Sequence, residues 1–250
     1  MSVLSADTLA QSRVVVLGGT SGFGLAVATE AVLAGATVVI GGRDPGRLKS
    51  AATELASLGG QVTAVRVDAA AEAPAGVGLE HFFEAAGPAD HVVSMVGGAM
   101  AGGFLDAPLE TIRAAVAEKF DASLRVARAA AGSIRTGGSL VLTGGAGGRP
   151  DGASGAIVGN QAVSTLVRGL ALELAPGVRV NAVAPTWTPT GLWRDLPDAE
   201  REATRLQMSR LSPLSRTATV SEVACAYLFC LTCTYLTGQT ITVDGGVSLL

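Results

Sequence analysis

Short runs rich in Val, Ile and Leu alternate along the chain with longer Ala-rich stretches whose apolar positions recur at helical spacing. The short runs show little polar alternation, which is the pattern of strands covered on both faces. They predict strands at Arg13–Leu17, Thr37–Gly41, Gln61–Val67, Asp90–Val96, Gly138–Thr143, Val178–Ala184 and Gln239–Val243. The intervening stretches predict helices near Gly22–Ala34, Pro45–Leu58, Leu79–Ala86, Pro108–Ala131, Ile157–Ala175 and Val220–Leu231, with Gly35 and Gly59 placed to end the first two. Regular alternation of this kind predicts an α/β protein, a single doubly wound domain over 1–250 with a seven-stranded parallel sheet. One segment, Thr186–Pro213, breaks the rhythm with two Trp, three Pro and a charged stretch Asp195–Arg205. It reads as an inserted loop with a short helix, of the sort that covers a substrate.

Composition narrows the function. With 48% hydrophobic and 16% charged residues in 250, the chain can bury a large core. A net charge of −3 supplies no basic excess to neutralise a phosphate backbone, which argues against nucleic acid as a partner and disfavours anionic membranes. The longest apolar run, Val223–Leu231, falls well short of the ~20 residues of a spanning helix. Met1–Ala10 has neither a basic flank nor a long apolar run, so the chain reads as cytoplasmic. Cys225, Cys230 and Cys233 cluster near the C-terminus, but no further Cys or nearby His completes a metal set. They read as buried helix cysteines, and no metal site is expected.

The first predicted strand runs directly into Gly18-Gly19-Thr20-Ser21-Gly22-Phe23-Gly24 and then into an apolar-periodic helix. Glycines there let the backbone turn tightly and approach a diphosphate, while free amides and the dipole at the helix start favour its negative charge. A tight strand-to-helix turn without a ligand is the competing explanation. The spacing Gly18, Gly22, Gly24 resembles the fingerprint of the short-chain dehydrogenase/reductase family, a Rossmann-type fold, although Leu17 stands where Thr is customary.

The resemblance continues in order along the chain. Val67-Asp68-Ala69 resembles the adenine-contacting Asp-Val pair, and Val96-Gly97 the end of the Asn-Asn-Ala-Gly motif, without its asparagines. Arg179–Pro185 is similar to the family's sixth strand. Thr188-Pro189-Thr190 is similar to the loop that grips the nicotinamide carboxamide, with Thr186 in place of the usual glycine after Pro185. Tyr235–Gln239 and Val243–Gly246 resemble the C-terminal signature. After the second strand an NAD site usually offers an acidic residue, but here Arg43 follows Gly41-Gly42. A guanidinium suits a 2′-phosphate, so the resemblance implies NADP(H) as cofactor, against a solvated Arg at a helix start.

Family members generally move a hydride between nicotinamide and a carbonyl carbon, with a Tyr as proton donor or acceptor assisted by Ser, Lys and Asn. In register with Arg168–Ala175, the Tyr-x-x-x-Lys pair falls at Ala156 and Asn160. The Ser falls at Gly145, and the Asn at Lys119. The chain thus resembles an atypical branch that keeps the cofactor loop and changes the proton-moving residues. Lys119 is the leading replacement, because a desolvated ammonium titrates near neutrality. Beside Glu118 and Asp121 it is also readable as a solvated or ion-paired side chain. Thr143, Ser154 and Asn160 are weaker hydroxyl or amide candidates. Trp187 and Trp193 could wall an apolar substrate pocket or simply pack a lid, and His81 and His91 read as surface or strand-edge residues.

Two functions follow. The first is an NADP(H)-dependent oxidoreductase acting on a small-molecule carbonyl, alcohol or activated alkene. The second is a dinucleotide-binding protein without redox turnover: a regulator, an inactive subunit, or a redox-neutral isomerase or cyclase. The resemblance also implies a homotetramer or homodimer, with which the Ala-rich Ala114–Ala131 face agrees, although such a face serves packing within one chain as well.

Overall fold

The computed structural model describes residues 9–69, 77–98, 102–149 and 151–250. Seven strands, β1 (Arg13–Leu17), β2 (Thr37–Gly42), β3 (Val62–Arg66), β4 (Ala89–Ser94), β5 (Ile134–Thr143), β6 (Arg179–Pro185) and β7 (Thr240–Val243), form one sheet in the order β3-β2-β1-β4-β5-β6-β7. All pairings are parallel. Parallel neighbours need crossovers, and these are made by α1 (Gly22–Leu33), α2 (Pro45–Ser57), α3 (Leu79–Ala86), α4 (Leu109–Ala131), α5 (Ser154–Glu173) and α7 (Val220–Thr232). An additional helix, α6 (Asp198–Leu211), lies in the inserted segment.

The period-two geometry of each strand sends successive side chains to opposite faces, so the sheet carries two cores. On one face Val15, Leu17, Val92, Leu140 and Leu142 pack with Phe82 of α3, Val126 of α4 and Val163 and Val167 of α5. On the other, Val14, Val16, Val93, Val141 and Val183 pack with Val27 of α1, Leu48 of α2 and Tyr227 and Leu231 of α7. This division decides which residues share a site, because α4 and α5 lie on one face and α1 and α7 on the other.

Several expectations are corrected. β3 is an edge strand with exposed Thr63, Ala64 and Arg66, so the full burial expected of every strand fails where no neighbour covers it. β5 begins at Ile134, earlier than Gly138, and its exposed start runs beyond the apolar stretch that marked it. α5 begins at Ser154, which brings Ala156 into the first turn. The helix of the inserted segment is 14 residues long, stabilised on its solvent face by Arg201–Asp198 and Arg205–Glu202 pairs rather than by a buried stripe. Its polar composition concealed its length, since the sequence predicts only a short helix there.

His91 does not sit at an edge. It is buried on central β4, where Nδ1 pairs with Ser139 Oγ at 2.9 Å, and burial pushes its imidazole down to about 4. His81 is exposed on α3. Of the cysteines, Cys230 is buried while Cys225 is exposed, on the outer side of α7. The C-terminal end of that helix is held by Arg179, which donates to the carbonyls of Cys230 at 2.8 Å and Leu231 at 2.7 Å. Among the described residues, no helix is long and apolar enough to cross a membrane.

Candidate functional site

In this strand order the direction of winding reverses between β1 and β4, and the crevice outside their carboxyl ends is where doubly wound sheets bind ligands. The glycine-rich turn lies there. Gly18 has φ +83°, and a Cβ on it would sit 2.8 Å from Met95 Cβ, so the turn after β1 is wedged against the segment leaving β4. Gly24 is tighter still: its Cβ would meet the Gly18 carbonyl oxygen at 2.2 Å. Gly22, with φ +54°, opens α1, and Thr190 lies 3.2 Å from where its Cβ would be. Thr20 turns its methyl group toward Gly42, 2.7 Å from a Cβ there, and Phe23 packs against the α1 core. Ser21 precedes the helix in extended conformation and makes no side-chain cap, leaving the first-turn amides to face the crevice.

Arg43 is exposed at the end of β2, and its carbonyl accepts from Arg66 Nε at 3.1 Å. Strand register sets Arg66 opposite Gly42, which brings the Arg66 guanidinium to the Arg43 backbone. Beyond β3, the Asp68 amide donates to Val77 at 2.7 Å, and the Ala69 carbonyl accepts from Arg125 Nη2 at 3.0 Å. The chain there is tied to α4 rather than left open. Val96 and Gly97 follow β4, with Gly97 at φ +110°.

The second half of the crevice is built from α4 and α5. The two helices approach through glycines: a Cβ on Gly155 would lie 2.8 Å from Ala115 Cβ, and one on Gly159 would lie 2.7 Å from Lys119 Cβ. Lys119 therefore runs across α5, and its side chain crosses Gly97, where a Cβ would meet Cδ at 2.6 Å and Nζ at 3.1 Å. The residue is only 8% exposed and makes no salt bridge among the described residues, and burial pushes its ammonium down to about 8, against the opposing pull of Glu118. One residue further along α5, Asn160 reaches the end of β5, its Nδ2 lying 2.7 Å from where a Gly145 Cβ would be. The amide fills the space a side chain at Gly145 would need. Asn160 Oδ1 is buried and has no hydrogen-bond partner among the described residues, an expensive arrangement unless a ligand donates to it.

Thr143 belongs elsewhere, which corrects its assignment as a catalytic candidate. Its hydroxyl donates to the Ser94 carbonyl at 2.6 Å and pairs with the fully buried Tyr227 hydroxyl at 2.8 Å. Since a hydroxyl has one proton, Tyr227 donates to Thr143 and Thr143 to Ser94, a relay that satisfies a phenol inside the α7 face. Burial holds that phenol well above its ordinary range. Ser154 is likewise committed, donating to the Gly102 carbonyl at 2.6 Å. Tyr235 is fully exposed.

Over the crevice runs the segment leaving β6. Pro185 ends the strand in a buried position, Thr188 is buried with its hydroxyl on the Thr186 carbonyl at 3.1 Å, and Thr190 accepts from the Leu192 amide at 3.3 Å. Trp187 and Trp193 lie with ring centroids 5.9 Å apart, and Trp193 Nε1 donates to the Thr188 carbonyl at 3.0 Å. Trp187 Nε1 and the Thr186 hydroxyl are buried without hydrogen-bond partners among the described residues. A cavity of about 310 Å³ lies between Trp187, Pro189, Thr190 and the start of α6, on the lid side and not lined by Lys119 or Asn160.

Sequence reasoning missed Arg66 and Arg194. Arg66 carries no motif, and only strand register brings it to Arg43. Arg194 lies 173 positions from Ser21, whose hydroxyl its Nη2 approaches at 3.4 Å.

Sheet, reversal point and glycine-lined helix start place the protein in the doubly wound α/β class. The family model described as enoyl-(acyl carrier protein) reductase matches residues 18–248. L-rhamnose 1-dehydrogenase (NAD(P)(+)) of Azotobacter vinelandii is 31% identical, over 96% of this chain and 97% of its own length. An NADPH-bound short-chain oxidoreductase from Pseudomonas aeruginosa PAO1, described as containing an atypical catalytic centre, superposes with a TM-score of 0.84 at 30% identity, covering 95% of this chain and 96% of the other. The MalC reductase/Diels-Alderase of Malbranchea aurantiaca superposes at 0.86 with 26% identity, covering 98% and 99%. The chain belongs to the short-chain dehydrogenase/reductase family of oxidoreductases.

Proposed function

We propose that this protein is an NADP(H)-dependent oxidoreductase acting on a small carbonyl, alcohol or activated alkene, with Lys119 as proton donor in the reducing direction. The observation that carries the reading is the placement of a buried ammonium, with no carboxylate in ion-pair distance among the described residues, across Gly97 at the mouth of β4. The residues present fit a dinucleotide. The turn from Gly18 to Gly24 leaves space and amides for a diphosphate, Arg43 and Arg66 offer a 2′-phosphate two guanidiniums, and Asn160 Oδ1 is a buried acceptor awaiting a hydroxyl donor. Asp68 and Ala69, Val96 and Gly97, and Pro185, Thr188 and Thr190 complete the walls. When bound, the coenzyme supplies or accepts the hydride.

The protein's own part is acid–base work. Lys119 gives a proton to the oxygen or carbon that gains charge as the substrate is reduced, and a donor poised near neutrality matches that task. Asn160 cannot supply charge, so its amide orients rather than activates. Gly145 and Ala156 carry no proton, and the active site is accordingly a non-standard one within the family. Residues 186–213 form the substrate-side lid.

The test is NADPH oxidation across a panel of ketones, aldehydes and enones. Lys119→Met is expected to lower turnover about 100-fold or more while NADPH affinity changes little, the usual scale of a general acid. Turnover equal to that of the unsubstituted protein would remove Lys119 from the mechanism. The second reading, a dinucleotide-binding protein without redox turnover whose pocket could serve redox-neutral chemistry, is favoured by the missing proton relay and by the structural likeness to MalC reductase/Diels-Alderase. It predicts tight NADPH binding with the coenzyme unconsumed against every panel member.

A further inference from the structure

We infer that Arg194 is a coenzyme-binding residue: carried by the lid, it closes over the glycine-rich turn and grips the diphosphate bridge of the dinucleotide, so that coenzyme binding fastens the lid. This rests on the dinucleotide reading above and adds a residue and a consequence to it.

Three observations converge. Arg194 Nη2 lies 3.4 Å from Ser21 Oγ, beside the residue that opens α1. The guanidinium folds back over Gly191 so closely that a Cβ there would come within 2.6 Å of Nη2, while Thr190 packs on Gly22. The backbone of the segment is held in place by Arg201, whose Nη1 donates to the carbonyls of Arg194 at 3.3 Å and Leu196 at 3.2 Å.

Charge then identifies the ligand. Arg201 and Arg205 of α6 each have a carboxylate partner, whereas Arg194 has none within 4.0 Å among the described residues. A cation set against the positive end of a helix, with no anion between them, is unfavourable by itself. An anion with oxygens facing both resolves the conflict, and a diphosphate lying on the first-turn amides has oxygens left to accept from a guanidinium fork. The 2′-phosphate is a poorer match, because Arg43 and Arg66 already mark its corner at the end of β2.

Calorimetric titration of the full chain separates these phosphates. ADP-ribose carries the diphosphate and adenosine 2′-monophosphate does not. Arg194→Ala is expected to weaken ADP-ribose and NADPH about tenfold or more, and Arg194→Lys to recover part of the loss. Adenosine 2′-monophosphate should bind all three proteins alike. NADPH should also protect the bonds after Arg201 and Arg205 from trypsin in the unsubstituted protein and much less in Arg194→Ala. Arg194 is exposed, so unfolding is not expected, and matching melting temperatures check this. Unchanged ADP-ribose affinity in Arg194→Ala overturns the inference alone, as does equal weakening of both ligands. Failure of the unsubstituted protein to bind ADP-ribose or NADPH overturns the dinucleotide reading with it.

Discussion

At the glycine-rich end of the crevice, the atom that forbids a side chain on Gly24 is a backbone oxygen, 2.2 Å from where the Cβ would be. At the far end, the atom that faces Gly145 is the side-chain amide of Asn160, 2.7 Å away. A backbone obstacle moves only if the turn moves, whereas an amide on a helix can take another rotamer. The first end therefore specifies its own residues, and the second is a set of side-chain contacts that can be exchanged while the frame stays. This explains how a chain of the family can keep the glycine-rich turn while the side chains at the far end of the crevice vary.

The contrast can be broken by substitution. Gly24→Ala carries the largest expected effect: the turn must open, and dinucleotide affinity should fall about 100-fold or more, equivalent to ~3 kcal/mol, by calorimetry. Retained affinity would mean that the turn is softer than its contacts indicate. Arg43→Ala should weaken NADPH by ~1–3 kcal/mol and NADH much less, since only one coenzyme carries the phosphate that the guanidinium would read. Equal losses for both would contradict the 2′-phosphate assignment. Tyr227→Phe is the smallest change, expected to cost ~1 kcal/mol of stability in denaturant unfolding because one satisfied hydrogen bond to Thr143 is removed. Turnover should not change, since that relay lies on the opposite face of the sheet from Lys119. A tenfold fall in turnover would return Thr143 to the chemistry.

Much of the architecture was legible in the sequence because its signals are local. Valine-rich runs and helical Ala stretches marked the strands and crossovers, and the Gly18–Gly24 spacing marked the turn. The legible part ended where contacts span the chain. Nothing near Thr143 indicates that Tyr227, 84 positions away, completes its hydrogen bonding. Nothing near Ser21 indicates Arg194. The polar lid concealed the length of α6, whose stability comes from surface pairs rather than a buried stripe. Lys119 lies between these cases: its position along the chain made it a candidate, but only the glycines at 97 and 159 show why its side chain runs into the crevice.

The chain contains two lysines, Lys49 and Lys119, so a protein labelled with carbon-13 at lysine Cε yields two resolvable signals. Lys49 is exposed on α2 and serves as the reference. The depressed ammonium of Lys119 is protonated below about 8 and neutral above it. As a proton donor it should therefore lose reducing activity as pH rises through that value. NMR titration with and without NADPH tests this most directly. The account predicts that the Lys119 signal titrates near pH 8 and moves when NADPH is added, while the Lys49 signal is unmoved by the coenzyme. A Lys119 signal unaffected by saturating NADPH would contradict the placement of its ammonium at the coenzyme.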